Sequence, residues 1–318
     1  MERIKKLIIK YKEEFIMVFN NVLDLIGSTP VLRISNIDAG ERGDVFLKLE
    51  KYNPAGSIKD RAALGMIERA EKDGKIKPGD TLVEPTSGNM GIGIAMIGKL
   101  KGYKVVIVMP ESMSKERRSL VKAYGAELVL TEGSKGMKGA IAKAEELVKE
   151  KGYFMPQQFT NPANPQKHYE TTAAEILKDI PDLDVFVAGV GTGGTVSGVG
   201  KKLKEMKKDI TIIAVEPANS PVISGGAPGA HKIQGIGAGF IPEIYDKNVV
   251  DKVIQITDDE AYEGAREVAS KEGVLIGISA GAALKAALKT AKEIGKGKKV
   301  LAIAPDGGEK YISMGLYD

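Results

Sequence analysis

Apolar positions along the chain fall into short β-branched runs separated by longer stretches with helical spacing. Val45-Phe46-Leu47-Lys48-Leu49 has the composition of a strand. Between 57 and 73, Ala62, Ala63, Met66, Ile67 and Ala70 recur at helical intervals, which predicts a helix with one buried face. The alternation continues with predicted strands over 81–84, 104–109 and 126–130 and predicted helices over 89–101, 114–124 and 136–150. Asn161-Pro162-Ala163-Asn164-Pro165 interrupts it and marks a boundary or a helix start. Beyond it, strands over 184–188, 211–215, 253–257 and 300–304 alternate with helices over 194–207, 258–271 and 279–293. Repeated strand–helix units imply parallel sheets covered on both faces. Two such series, divided near residue 160, predict an α/β protein of two lobes with a cleft between them. Each lobe carries a twisted, mostly parallel sheet flanked by helices. Residues 217–243 are rich in Gly and Pro and lack periodicity, as functional or mobile loops do.

Composition narrows the chemistry by exclusion. The 318 residues suffice for about two domains. Cys is absent, so no thiolate nucleophile, disulfide or thiolate metal site exists. Only His168 and His231 carry imidazoles, which leaves little room for a metal site or for histidine catalysis. A net charge of +4, aromatic content of 5% and no Trp argue against a nucleic-acid surface. No run approaches the ~20 apolar residues of a membrane helix. Residues 1–16 mix charged and apolar groups without a signal peptide's apolar centre, and read as an extension ahead of Met17. The expected location is the cytoplasm.

Four segments carry chemistry. Gly189-Val190-Gly191-Thr192-Gly193-Gly194 fits a dinucleotide fingerprint, with Glu216 near the end of the next strand. It also fits a tight structural turn, or a cup for a monophosphate in which Thr192 and Thr195 add hydroxyl donors at a helix N-terminus. Gly277-Ile278-Ser279-Ala280-Gly281 matches a hydrolase elbow, but both histidines precede Ser279, so the expected triad order fails. The plainer reading is a serine capping the next helix. Ser57-Ile58-Lys59-Asp60 reads as a capping box with Lys59 in the first helical turn. A cation there opposes the helix dipole, which favours a neutral amine of the kind that attacks a carbonyl, although most lysines are solvated surface charges. Thr86-Ser87-Gly88-Asn89 offers hydroxyls and free N–H groups to a carboxylate, or simply starts a helix. An amine, a phosphate cup, a carboxylate nest and a cleft together describe pyridoxal 5′-phosphate with an amino-acid substrate.

At these residues the chain resembles the cysteine synthase (O-acetylserine sulfhydrylase) family, from about Leu25 to Tyr311. The resemblance rests jointly on Gly27-Ser28-Thr29-Pro30, on Asn53 to Arg61, on Glu84 to Asn89, on Gln157-Gln158-Phe159, on Gly191 to Thr195 and on His231 to Phe240. It implies the fold of the tryptophan-synthase β class, with a smaller mobile domain over 52–160 and a larger one over 17–51 and 161–318. It implies that Lys59 bonds the cofactor and later moves the substrate's α-proton. Asn89 would meet the ring hydroxyl, Gly191, Thr192, Gly193, Gly194 and Thr195 the phosphate, and Ser279 the pyridine nitrogen. Thr86, Ser87 and Gln158 would bind the substrate carboxylate, with Gly88, Met90 and Gly237 beside them. The implied reaction is replacement of the acetate of O-acetyl-L-serine by sulfide. Sibling activities are condensation with homocysteine and release of sulfide from cysteine. More distant readings are an NAD-linked dehydrogenase and a non-catalytic regulatory homologue. The family implies a homodimer and, as a partner, the C-terminal tail of a serine acetyltransferase. Met90 departs from the family's usual Thr, Pro305 to Lys310 from its commoner Ser-rich segment, and the stretch from Pro221 to His231 looks short.

Overall fold

The computed structural model describes residues 18–38, 40–86 and 88–318. The extension over 1–16, Met17 and Ser87 lie outside the described residues. In chain order the elements are β1 (Val31–Ile34), β2 (Asp44–Leu49), α1 (Lys59–Lys72), β3 (Thr81–Pro85), α2 (Asn89–Leu100), β4 (Lys104–Pro110), α3 (Lys115–Ala123), β5 (Glu127–Thr131) and α4 (Gly136–Lys151). They continue with α5 (Ala163–Lys167), α6 (Ala173–Asp179), β6 (Val185–Gly189), α7 (Gly194–Met206), β7 (Thr211–Pro217), β8 (Lys252–Ile256), α8 (Asp258–Glu267), α9 (Ile278–Ile294) and β9 (Lys299–Ala304).

Two sheets result. β3, β4 and β5 pair in parallel. The other sheet runs β1-β2-β9-β6-β7-β8 and is parallel except for the antiparallel β1–β2 edge. The two-lobed α/β architecture is thus the expected one. β1 was not foreshadowed; four residues are too few to display a period, and its pairing with β2 alone defines it.

Alternation along each strand feeds two cores. In the smaller sheet Leu82, Val105 and Ile107 face α1 and α2, while Val83, Val106 and Val108 face Ala140, Ala144 and Leu147 of α4. In the larger sheet Val185, Val187, Val300 and Ala302 pack under α8 and α9, and Phe186, Ala188, Leu301 and Ile303 under α6 and α7. Each fully buried large aliphatic side chain contributes about 1.5–3 kcal/mol relative to exposure. These continuous apolar strands are what a sheet covered on both faces requires.

Two expected helix starts differ in the structure. Ser57 and Asp60 form no capping box. Ser57 makes an antiparallel bridge to Asp306, and the N–H of Ile58 donates to the carbonyl of Pro305 at 2.8 Å. That strand-like tie shifts the helix start, and Ile58 occupies the N-cap of α1. The Asp60 carboxylate instead accepts from the N–H of Ala55 at 2.7 Å. Ser279 is likewise no cap: Gly277 holds the N-cap of α9, and Ser279 sits inside its first turn.

Candidate active site

The site gathers at the carboxyl ends of the strands, where ligands of open α/β sheets bind. β3 leads to Asn89, β6 to the glycine-rich turn, and β9 to Pro305 and Asp306. These residues line one cavity with Lys59, Gly191, Thr192, Gly193, Thr195, Gly235 and Ser279. Two wider hollows, of about 630 and 740 Å³, lie elsewhere on the surface, and neither includes Lys59 or the glycine turn.

At one end is the cup. Gly193 has φ +82°, in the left-handed region that favours glycine, and opens the 13-residue helix α7. A Cβ on Gly191 would fall on the carbonyl oxygen of Gly235, and one on Gly194 on the Asn164 amide oxygen. Thr192 Oγ1 accepts from Asn164 Nδ2 at 3.2 Å and from the N–H of Gly194 at 3.3 Å. Thr195 Oγ1 lies 3.4 Å from His168 Nε2, and His168 Nδ1 lies 3.0 Å from Thr172 Oγ1. Burial, reinforced by Arg61 and Lys59, holds the His168 imidazole well below its ordinary pKa, so it is neutral. The cup is a nest of main chain and hydroxyls at the positive end of a helix, which suits a phosphate.

At the other end is Lys59. It opens α1, with its N–H donating to Ser57 Oγ at 3.2 Å. Burial lowers its pKa to about 8, against the pull of the Asp306 carboxylate. Two residues on, Arg61 anchors the helix. Its guanidinium donates to both oxygens of Glu50 at 2.8 and 3.0 Å and to both of Glu175 at 2.6 and 2.7 Å. Lys48 pairs with the same Glu175 at 2.9 Å. Burial resists the charge of Glu175, but Arg61 and Lys48 outweigh it and hold the carboxyl at about 2. The first turn of α1 is thereby fixed against β2 and α6.

A buried amine whose pKa is lowered to about 8, in one cavity with a phosphate cup, is the donor set that an aldehyde-bearing, phosphorylated ring requires. A family model described as pyridoxal-phosphate dependent enzyme matches residues 22–306. The chain belongs to this family. It is 57% identical over 300 residues to a cysteine synthase of Staphylococcus aureus, covering 94% of this chain and 97% of the relative. An O-acetylserine sulfhydrylase structure from Entamoeba histolytica matches at 45% identity and a TM-score of 0.92, covering 95% of this chain and 91% of that one. A hydrogen sulfide-producing enzyme of Fusobacterium nucleatum matches at 52% identity and a TM-score of 0.89, covering 92% and 98%.

Among the described site candidates, Lys59, Asn89, Gly191, Thr192, Gly193, Thr195 and Ser279 share the cavity wall. Gly194 backs it as the first residue of α7. Gly237 lines an adjoining hollow with Gly191 and donates its N–H to the carbonyl of Val190 at 3.0 Å. Thr86, Gly88 and Gln158 lie outside this wall. Thr86 Oγ1 accepts from the N–H of Gly88 at 3.2 Å, and the N–H of Gln158 donates to Glu84 at 3.2 Å. Met90 is 1% exposed and belongs to the apolar core of the smaller lobe, because α2 turns its side chain away from the cavity. Glu216, the acidic residue of the dinucleotide reading, is occupied: it accepts from the N–H groups of Ile223 and Ser224 and from the Ser224 hydroxyl.

Sequence reasoning missed Asp306, which lines the cavity, and Lys310 and His168, which meet Asn89 and Thr195. Arg117 of α3 stacks on the Tyr311 ring at 5.8 Å and donates to Gln234, joining the smaller lobe to the larger. Only the departure of Pro305 to Lys310 from the family pattern hinted at that segment.

Proposed function

We infer that this chain is a pyridoxal-phosphate-dependent cysteine synthase, replacing the acetate of O-acetyl-L-serine with sulfide. The observation that carries the reading is Lys59: a buried amine with pKa lowered to about 8, in one cavity with the glycine–threonine cup. The residues fit the cofactor. Gly191, Thr192, Gly193, Gly194 and Thr195 would hold its phosphate, Asn89 its ring hydroxyl and Ser279 its pyridine nitrogen. Bound there, the cofactor supplies an electron sink that makes an amino acid's α-proton removable and its β-substituent expellable. Lys59 Nζ takes and returns that proton, which a neutral amine does and an ammonium does not. The hydroxyl of Ser279 brings no charge to the ring nitrogen, which favours elimination at the β-carbon over transamination. Thr86, Ser87, Gly88 and Gln158 would orient the substrate carboxylate.

The division into a smaller domain over 52–160 that closes on a larger one over 17–51 and 161–318 belongs to this reading, as do a homodimer and an acetyltransferase tail as partner. No helix of the described residues is long and apolar enough to cross a membrane. The sulfide-producing relative supports a second reading, release of sulfide from cysteine. Product analysis separates them. Purified protein given O-acetylserine and sulfide should yield cysteine and acetate. Faster sulfide release from cysteine alone would place the second activity first, and cystathionine from serine and homocysteine would replace both.

A further inference from the structure

Three turns that carry site residues meet on one segment, Pro305 to Lys310. The carbonyl of Pro305 accepts from Ile58, one residue before Lys59, and the carbonyl of Asp306 accepts from Gly277, two residues before Ser279. The third turn is reached by side chains. Asn89 Nδ2 donates to Asp306 Oδ2 at 2.7 Å, and Lys310 Nζ donates to Asn89 Oδ1 at 2.9 Å. Lys310 also donates to the carbonyls of Ala55 at 3.2 Å and Gly56 at 3.0 Å. An ammonium has three hydrogens, and all three are committed. Gly56, at φ +77°, has no Cβ to fend off this approach; one placed there would lie 3.3 Å from Lys310 Nζ. Asp306 is itself held by the Tyr311 hydroxyl at 2.5 Å.

This arrangement leaves the Asn89 amide one orientation. Turned over, it would set its NH₂ against an ammonium and its carbonyl oxygen against a carboxylate, two repulsions in place of two charge-assisted bonds. Asp306 takes one hydrogen of Nδ2, and the other has no acceptor among the described residues. We propose that Lys310 and Asp306 are positioning residues that lock the Asn89 amide so that its remaining N–H is offered to the cofactor's ring oxygen, while Lys310 braces the Ala55–Gly56 turn that leads to Lys59. The proposal rests on the cofactor reading above and deepens it. A hydrogen bond offered to that oxygen favours its anionic form, so the lock sets the colour of the bound cofactor as well as its retention.

The test uses cofactor-loaded Lys310→Met, Lys310→Arg, Asn89→Ala and the Lys310→Met/Asn89→Ala double variant. Each is read by the visible spectrum of the bound cofactor and by cofactor loss on dialysis. Asn89→Ala should shift the visible band. Lys310→Met should reproduce that shift and weaken retention about tenfold, the scale of one charge-assisted bond. The double variant should be no worse than the more affected single variant, because both remove one interaction. Lys310→Arg, which keeps donors, should restore the band. A wild-type spectrum and retention in Lys310→Met, or effects that add in full, would overturn the proposal. Wild-type behaviour in Asn89→Ala would overturn the cofactor reading beneath it. Should Lys310→Met fail to fold, Asp306→Ala removes the acceptor on the amide's other side and must give the same shift.

Discussion

The two ends of the cavity are made of different materials. Around Gly191 to Thr195 the groups are main chain, hydroxyls and a neutral imidazole, and the field comes from the start of α7. Around Lys59 they are ions and near-ions: Asp306, Lys310, and Asp60, whose carboxyl burial pushes up to about 7. Behind them stand Arg61, Glu50 and Glu175. A phosphate brings its own charge and needs only oriented dipoles. A reactive amine must be made easier to discharge, which burial does at Lys59 against the pull of the Asp306 carboxylate. The cup is therefore local in sequence, five consecutive residues, and the amine end is assembled from distant ones.

The largest expected effect lies at the amine end. Lys59→Ala should lower turnover on the order of 10³-fold or more while the protein stays folded, since it removes the reacting group and a costly buried amine together. Borohydride reduction of the parent enzyme, followed by peptide mapping, should label Lys59. A label on another lysine breaks the comparison outright.

The cup should answer to backbone before side chain. Gly191→Ala drives a methyl into the Gly235 carbonyl. It should weaken cofactor retention about a hundredfold, the result of roughly 3 kcal/mol of overpacking. Thr192→Ala and Thr195→Ala should each cost about tenfold, one hydroxyl bond to an anion. Greater loss in the threonine variants than in Gly191→Ala would make the cup a hydroxyl site rather than a main-chain one.

Met90→Thr checks that the core lies beyond both ends. The residue is buried among apolar side chains, so a hydroxyl there should lower stability by about 2–4 kcal/mol in urea unfolding, with amino-acid affinity unchanged. Tighter binding of a product amino acid would return position 90 to the site.

The smallest effect is one of pH. In cofactor-free protein, Lys59 should react with an acylating reagent with a midpoint near 8 rather than 10.5. Because Asp306 raises this value, Asp306→Asn should move the midpoint lower still. The folded amine sheds its proton before the unfolded one, so this group makes stability rise with pH between about 8 and 10.5. A midpoint unmoved in Asp306→Asn would mean that burial alone tunes Lys59.

What could be read in the sequence follows the same division. Gly193 and Gly191 announce themselves, because a left-handed backbone favours glycine and the approach of the Gly235 carbonyl leaves no room for a Cβ. The strands announce themselves as continuous β-branched runs, and β1 escapes for want of length. Lys59 was legible from its place in a first turn, although the cap inferred around it was not. A bridge from Ser57 to Asp306, 249 positions further along the chain, displaced it, and no local pattern encodes a partner so remote. Lys310 and Asp306 were hidden for the same reason: their roles exist only once the sheet has brought Asn89 and the Ala55–Gly56 turn beside them.

β9 is the latest described strand in chain order, yet it lies mid-sheet, between β2 and β6. During synthesis, β2 and β6 each keep an open edge until residues 299–304 emerge, and open edges invite pairing with other chains. Asp306 and Lys310 emerge later still. A growing chain can therefore gather its smaller sheet early while the larger one waits, and the power to hold the cofactor arrives as one late event on the ribosome. Chains halted before residue 299 should hold no cofactor at all; retention by such a chain would mean that the larger sheet closes without its central strand.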